Sequence, residues 1–173
     1  MLLDIMKTRR SIRVYKDQEV EQEKVDIILK SALLAPTGRA TRAWEFIVVN
    51  DKDKIKKLSR CRNGAARFLE GAPLAIVVSI DEEKASTWVE DASISAVYIQ
   101  LAAHSLGLGS CWAHVRERSC SETLSSESYV REVLGIPEKI RILCIIGIGY
   151  PGEEKPPHKE EDLLYEKIHY NQF

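Results

Sequence analysis

One stretch, Thr87 to Ser105, constrains this 173-residue chain more than any other, because after Asp91 it carries almost no charge. Thr87-Trp88-Val89-Glu90 has the form of a capping box, and the helix it opens runs through Ala92 to Ala103 until Gly107 and Gly109 end it. A helix that is apolar nearly all round is buried on all sides. In so small a protein this implies a central helix or one packed against a partner subunit.

Other elements can be read around it. Val25, Ile28, Leu29 and Ala32 recur at helical spacing and stop before Pro36 and Gly38. Glu45 to Val49 and Leu74 to Ile80 are short β-branched runs, with a charged helical stretch from Lys52 to Arg60 between them. They read as buried strands separated by crossovers. Gly109 to Ala113 leads into another strand, and Ile140 to Tyr150 is the last strong one. Ser119-Cys120-Ser121-Glu122 has the residues to cap a further helix, and Tyr129 to Leu134 reads as helical before Gly135 and Pro137. The expected architecture is a single α+β domain over residues 1–173, a mixed sheet flanked by helices. Residues 151–173, polar and broken by Pro156 and Pro157, form a C-terminal arm with apolar anchors such as Leu163, Leu164 and Ile168.

Composition narrows the function classes. A net charge of -1 and a pI near 6.4 provide no overall basic field for nucleic acid or an anionic membrane. No apolar run approaches the roughly 18 residues of a membrane span. Cys61, Cys111, Cys120 and Cys144 form no CxxC pair, so no disulfide scaffold and no metal site is expected. Reduced thiols in a cytoplasmic protein fit this pattern.

Any anion must therefore be bound locally, and Thr8-Arg9-Arg10-Ser11-Ile12-Arg13 is the place to look. Arginine presents a planar fork that matches phosphate oxygens. In an extended segment Arg9, Ser11 and Arg13 point the same way and Arg10 the other. Taken alone, the cluster is either a phosphate grip or a solvated basic turn.

Four segments, in order along nearly the whole chain, resemble the nitroreductase family of FMN-dependent oxidoreductases. The arginine start resembles the family's R-x-S-x-R/K motif. Ala35-Pro36-Thr37-Gly38 through Trp44-Glu45-Phe46-Ile47-Val48-Val49 resembles its A-P-S-x-x-N-x-Q-P-W-x-F-I-V-V block. Ser105 to Trp112 resembles its G-L-G-S-C-W turn, and Gly147-Ile148-Gly149-Tyr150-Pro151, with a basic tail, its G-x-G-Y-P strand end. The resemblance implies an intertwined homodimer with two FMN sites at the subunit interface, each lined by both chains.

The same resemblance assigns candidate residues. Arg9, Arg10, Ser11 and Arg13 hold the flavin phosphate and ribityl chain; Pro36, Thr37 and Gly38 line the ring by main-chain contact. Lys155, His158 and Lys159 lie where the family's arm brings a cation to the phosphate. Ala113, His114 and Val115 occupy the strand that presents a backbone N–H to the flavin N5. His114 either donates a proton on the substrate side or serves as a wall residue. The chain departs from the pattern at Ala40, where the family has Asn, and at Arg42-Ala43, where it has Gln-Pro. Arg39 or Arg42 replaces the missing amide, or both face solvent or a carboxylate of the partner.

The implied activity passes electrons from NADH or NADPH through FMN to a small electron-poor acceptor, such as a nitroaromatic or quinone. The alternative is a flavin-binding store or carrier with no NAD(P)H turnover. Reductive dehalogenation, which the family also serves, calls for lid insertions and is disfavoured by the shortness of the chain.

Overall fold

A computed structural model describes all 173 residues. In chain order the elements are α1 (Leu2–Thr8), α2 (Gln22–Leu33), β1 (Trp44–Val49), α3 (Lys52–Leu58), β2 (Leu74–Asp81), α4 (Trp88–Ser105), β3 (Gly109–His114), α5 (Ser126–Leu134) and β4 (Ile140–Gly149). The strands form one sheet in the order β1-β2-β4-β3, with every neighbouring pair antiparallel. The parallel component expected of a mixed sheet is confined to a single bridge between Ser11 and Ser110.

Both faces of the sheet are covered. Ile76, Val78, Leu143 and Ile146 pack with α2 and α4 on one side, through Ile28, Ala96 and Ile99. Ala75, Val77, Ile142 and Ile145 pack on the other side with Ile55, Leu58 and Val130 of α3 and α5. All eight residues of β2 are buried. This explains why the strands read as continuous apolar runs: two covered faces remove the polar alternation that one solvated face produces.

Helix α4 turns Ala92, Ser95, Ala96, Ile99 and Ala103 into the core, at spacings of three and four residues. Its opposite face leaves Ile94, Val97 and Tyr98 exposed, at 36%, 46% and 38%. Of the two arrangements open to an apolar helix, the chain adopts half of each: one face is central and the other is uncovered. The expected capping box is absent, because the Thr87 hydroxyl is directed to Asp91 and caps no backbone N–H.

Two other local readings change. Residues 119–122 form no helix, Ser119 bridging antiparallel to Ser125 and 120–122 bending, and the cap of α5 is Ser125, whose hydroxyl accepts the Ser128 N–H at 3.0 Å. The arm carries two short helical turns, Glu160–Asp162 and Tyr165–Lys167, and its Leu164, Tyr165, Ile168, Tyr170 and Phe173 are exposed. No helix is long and apolar enough to cross a membrane.

Candidate functional site

The segment after α1 runs along the outer edge of β3. Ile12 donates its N–H to the Ser110 carbonyl at 3.0 Å, beside the Ser11–Ser110 bridge. Gly109 makes this approach possible, since a Cβ there would lie 2.8 Å from the Ile12 side chain. The contact lasts one residue, so the strict alternation expected of an extended strand does not hold. Ile12 is buried, and Arg10 lines a cavity at the C-terminal end of α4 together with Thr8, His104, Gly109, Glu153 and Lys155. Arg10, expected to face away, is thus the arginine of the cluster inside this cavity.

The arm closes the cavity from the other side. Arg10 donates through Nη1 to the Pro156 carbonyl, and Lys155 donates to the Ser11 carbonyl at 2.6 Å. Lys155 also pairs with Glu153 at 3.4 Å. Glu153 in turn accepts the Arg13 N–H at 2.5 Å and the Val14 N–H at 3.3 Å. The Arg13 N–H, then Lys155, holds the Glu153 carboxyl below its usual range. The Arg13 guanidinium curls back toward the Ser11 carbonyl at 3.4 Å.

Of the three tail cations, Lys155 alone enters the cavity. His158 donates its N–H to the Lys7 carbonyl at 2.9 Å, and Lys159 pairs with Glu161 at 3.1 Å on the exposed arm. His104, which no motif in the sequence marks, also lines the cavity. Its Nε2 lies 2.8 Å from the Thr8 hydroxyl, which donates to the Asp4 carbonyl at 2.7 Å. Burial, then the charge of Arg9, lowers the His104 pKa below 6.5. The signal that could have found it is its place one turn before Gly107.

Strand β3 is an edge strand, and its two sides can be told apart. The Ser110 carbonyl faces outward to Ile12, whereas the Val115 N–H donates inward to the Leu143 carbonyl at 3.0 Å. Alternation therefore turns the backbone groups of Trp112 and His114 to the open edge, and those of Ala113 and Val115 toward β4. Val115 is fully buried and its N–H is spent within the sheet. Of the three expected positions, only His114 turns its N–H to the open edge of the sheet.

The His114 ring is also fixed. Trp112 Nε1 donates to His114 Nδ1 at 3.3 Å, so a neutral ring carries its proton on Nε2. Burial, then the charges of Arg118, Arg62 and Arg116, lowers its pKa below 6.5. At neutral pH it is a hydrogen-bond donor and not a strong acid.

The Pro36 loop is elsewhere. Gly38 donates its N–H to the buried Asp91 at 2.9 Å, and Thr37 Oγ1 accepts the Arg42 N–H at 3.1 Å. Arg39, Ala40 and Arg42 have φ of 53°, 56° and 49°, a left-handed region unfavourable for residues with a Cβ. Arg39 and Arg42 are exposed and pair with no carboxylate of this chain. From Asp91 to His104 the helix rises about 20 Å. The loop and the arginine cavity thus occupy opposite ends of α4.

These features can be set beside known proteins. The model of the nitroreductase family matches residues 6–65 and 58–150. A relative from Archaeoglobus fulgidus, provisionally named NADH dehydrogenase/NAD(P)H nitroreductase, is 39% identical over 172 residues, covering 96% of this chain and 95% of that one. The structure of an FMN-dependent nitroreductase from Clostridium difficile R20291 superposes with a TM-score of 0.97 at 55% identity, over 99% of both chains. An iodotyrosine deiodinase from Thermotoga neapolitana is 26% identical over 188 residues and is covered to 99% of its length. The alignment is longer than this 173-residue chain, so that relative carries residues with no counterpart here. With the family model spanning most of the chain, the protein belongs to the nitroreductase family.

Proposed function

We propose that the protein binds FMN in the cavity at the C-terminal end of α4 and works as an NAD(P)H-dependent oxidoreductase on a small electron-poor acceptor, nitroaromatic or quinone-like. The observation that carries this reading is the convergence of Arg10, Lys155 and the Ser11 segment beside the open edge of β3. A donor set of two cations suits a phosphate, and the Ser110 hydroxyl at the same bridge is buried without a partner. When bound, FMN supplies a ring that takes two electrons from a reduced nicotinamide and hands them on.

The chain's own part is to hold and orient. Arg10 and Lys155 neutralise the phosphate, with Arg9 and Arg13 adding to the local positive field. The His114 N–H faces the ring from the edge of β3, and its Nε2–H orients the acceptor. Among the tail cations Lys155 serves the phosphate, while His158 and Lys159 secure the arm.

The functional unit is a homodimer. Two copies of α4 packed antiparallel about a two-fold axis bring the Pro36-Thr37-Gly38 loop and Arg42 of one chain to the cavity of the other. The uncovered Ile94, Val97 and Tyr98, with the apolar anchors of the arm, are the surface such packing would bury. A cytoplasmic setting agrees with four free thiols, three of them buried.

The test is the visible spectrum of the purified protein, with and without reduced nicotinamide in the absence of oxygen. Bound yellow flavin that bleaches on addition of NADH or NADPH is expected. A colourless protein that neither takes up FMN nor oxidises a reduced nicotinamide overturns the reading. Flavin that binds but never bleaches identifies a carrier, a role favoured by the exposed, amide-free loop at Ala40 and Arg42.

A further inference from the structure

Arginines concentrate on one other part of the surface. The turn after α3 carries Arg60, Arg62 and Arg67, and the loop after β3 carries Arg116 and Arg118. Two contacts stitch these segments together: Ser126 Oγ donates to the Cys61 carbonyl at 2.6 Å, and Cys120 Sγ reaches the Arg60 carbonyl at 3.4 Å. Arg60 and Arg67 line a shared cavity with Asn63, Gly64 and Cys120.

Only Arg116 of the five has a carboxylate partner. It pairs with Glu117 at 2.5 Å and lies over the Trp88 ring at 5.5 Å. The carboxylates of the two segments, Glu70, Glu117 and Glu122, are outnumbered, and none pairs with Arg60, Arg62, Arg67 or Arg118. Unpaired like charges gathered on one surface repel, and a bound anion relieves that repulsion. Guanidinium forks select carboxylate and phosphate oxygens. Arg118 donates its N–H to the Val115 carbonyl at 3.2 Å, one residue beyond His114, and its carbonyl accepts the Ser126 N–H at 2.8 Å, while Ser126 Oγ holds Cys61, so both loops meet at the end of β3. The arginine charges help to lower the His114 pKa there.

We infer that the molecule meeting His114 carries a phosphate or a carboxylate, held by Arg62 and Arg118, two arginines without carboxylate partners that stitched loops bring to the end of β3. The inference rests on the proposed function, in which His114 borders the flavin ring. The anionic group has two possible sources: the extra phosphate that distinguishes NADPH from NADH, or a carboxylate on the acceptor.

The experiment compares the FMN-loaded wild type with Arg62→Ala/Arg118→Ala, after flavin content is matched by absorbance. NADPH is compared with NADH against neutral benzoquinone, and para-nitrobenzoate with nitrobenzene at saturating donor. A donor phosphate predicts a loss of about tenfold or more in kcat/KM for NADPH but not NADH. An acceptor carboxylate predicts the same loss for para-nitrobenzoate but not nitrobenzene. In either case about 0.5 M salt narrows the gap between wild type and variant, and Arg62→Lys/Arg118→Lys recovers part of the loss.

Equal kcat/KM in wild type and variant for all four compounds, or an equal fall for charged and neutral ones, overturns the inference while leaving the reductase intact. A protein without turnover overturns the proposed function instead. The inference then stands or falls on the NMR signals of His114. Titration with NADP or para-nitrobenzoate moves them in the wild type and not in the double variant if it is right, and moves them in neither if it is wrong.

Discussion

Asp91 and Gly38 are joined across the fold: the Asp91 carboxylate, 2% exposed, accepts the Gly38 N–H at 2.9 Å. The same carboxylate takes the Thr87 hydroxyl at 3.3 Å, so one buried side chain fixes both the start of α4 and the loop ahead of β1. Asp91→Ala strands both donors and is expected to cost about 1–3 kcal/mol in urea unfolding. FMN affinity should fall with it, whereas Asp91→Asn keeps an acceptor and most of the stability. An Asp91→Ala protein with an unchanged urea midpoint would count against this role.

The same loop responds to substitutions of opposite sign. A Cβ at Gly38 would stand 2.2 Å from Thr87 Oγ1, so Gly38→Ala should destabilise by about 1–3 kcal/mol. Adding Thr87→Ala should recover part of the loss. Ala40, at φ 56°, has the reverse problem, and Ala40→Gly should stabilise by about 1 kcal/mol. Thermal midpoints of the wild type, these variants and Thr87→Ala alone decide the matter; additive behaviour of Gly38→Ala and Thr87→Ala would contradict the clash.

Opposite charges compete inside the phosphate cavity. Lys155→Ala should weaken FMN binding by about tenfold, the loss of one charge-assisted contact. Glu153→Gln should strengthen it, because an ionised carboxylate beside Lys155 at 3.4 Å repels the incoming phosphate. Fluorescence titration of the stripped protein with FMN measures both, and tighter binding by the Lys155 variant would exclude the assignment.

Acid sensitivity should trace largely to Glu127. Burial alone raises its pKa, but hydrogen bonds from Arg141 at 2.9 and 3.1 Å and from the Ile142 N–H at 2.9 Å outweigh this and hold it below 4.5. A carboxylate depressed in the folded state contributes stability above its unfolded pKa and loses it as pH falls through the folded value. Urea midpoints should therefore drop below about pH 4.5, and Glu127→Gln should flatten that acid limb while lowering stability at neutrality. An identical acid limb in the variant would move the effect to another group.

Much of the architecture could be read from side-chain type alone, and the errors share a cause. Long apolar runs announced α4, β2 and β4, because burial on both sides of an element needs an unbroken apolar sequence. Strand direction was hidden for the same reason: with α2 and α4 over one face and α3 and α5 over the other, an antiparallel sheet has the composition of a parallel one. Helix starts were misassigned where a hydroxyl had two possible acceptors. Thr87 serves Asp91, and Ser125, not Ser119, caps α5. Helix α1 went unread despite Leu2, Leu3, Ile5 and Met6, because seven residues are too few for a helical period to show and none of them is buried.

At the site, residue types were legible and partners were not. The arginine cluster, the Pro36 loop and the basic arm were all visible as motifs. Which arginine turns inward depended on a single bridge between Ser11 and Ser110, and which backbone N–H is free depended on β3 being an edge strand. Neither has a signature in local sequence.

The separation of the Pro36 loop from the arginine cavity along α4 has a genetic consequence under the proposed dimer. Each chain then owns one half of two different sites. A copy damaged at Lys155 and a copy damaged at Gly38 would each be impaired at both of its sites when alone. Mixed in one cell, they would assemble heterodimers in which one site inherits both defects and the other inherits neither, so two defective alleles would restore activity to each other.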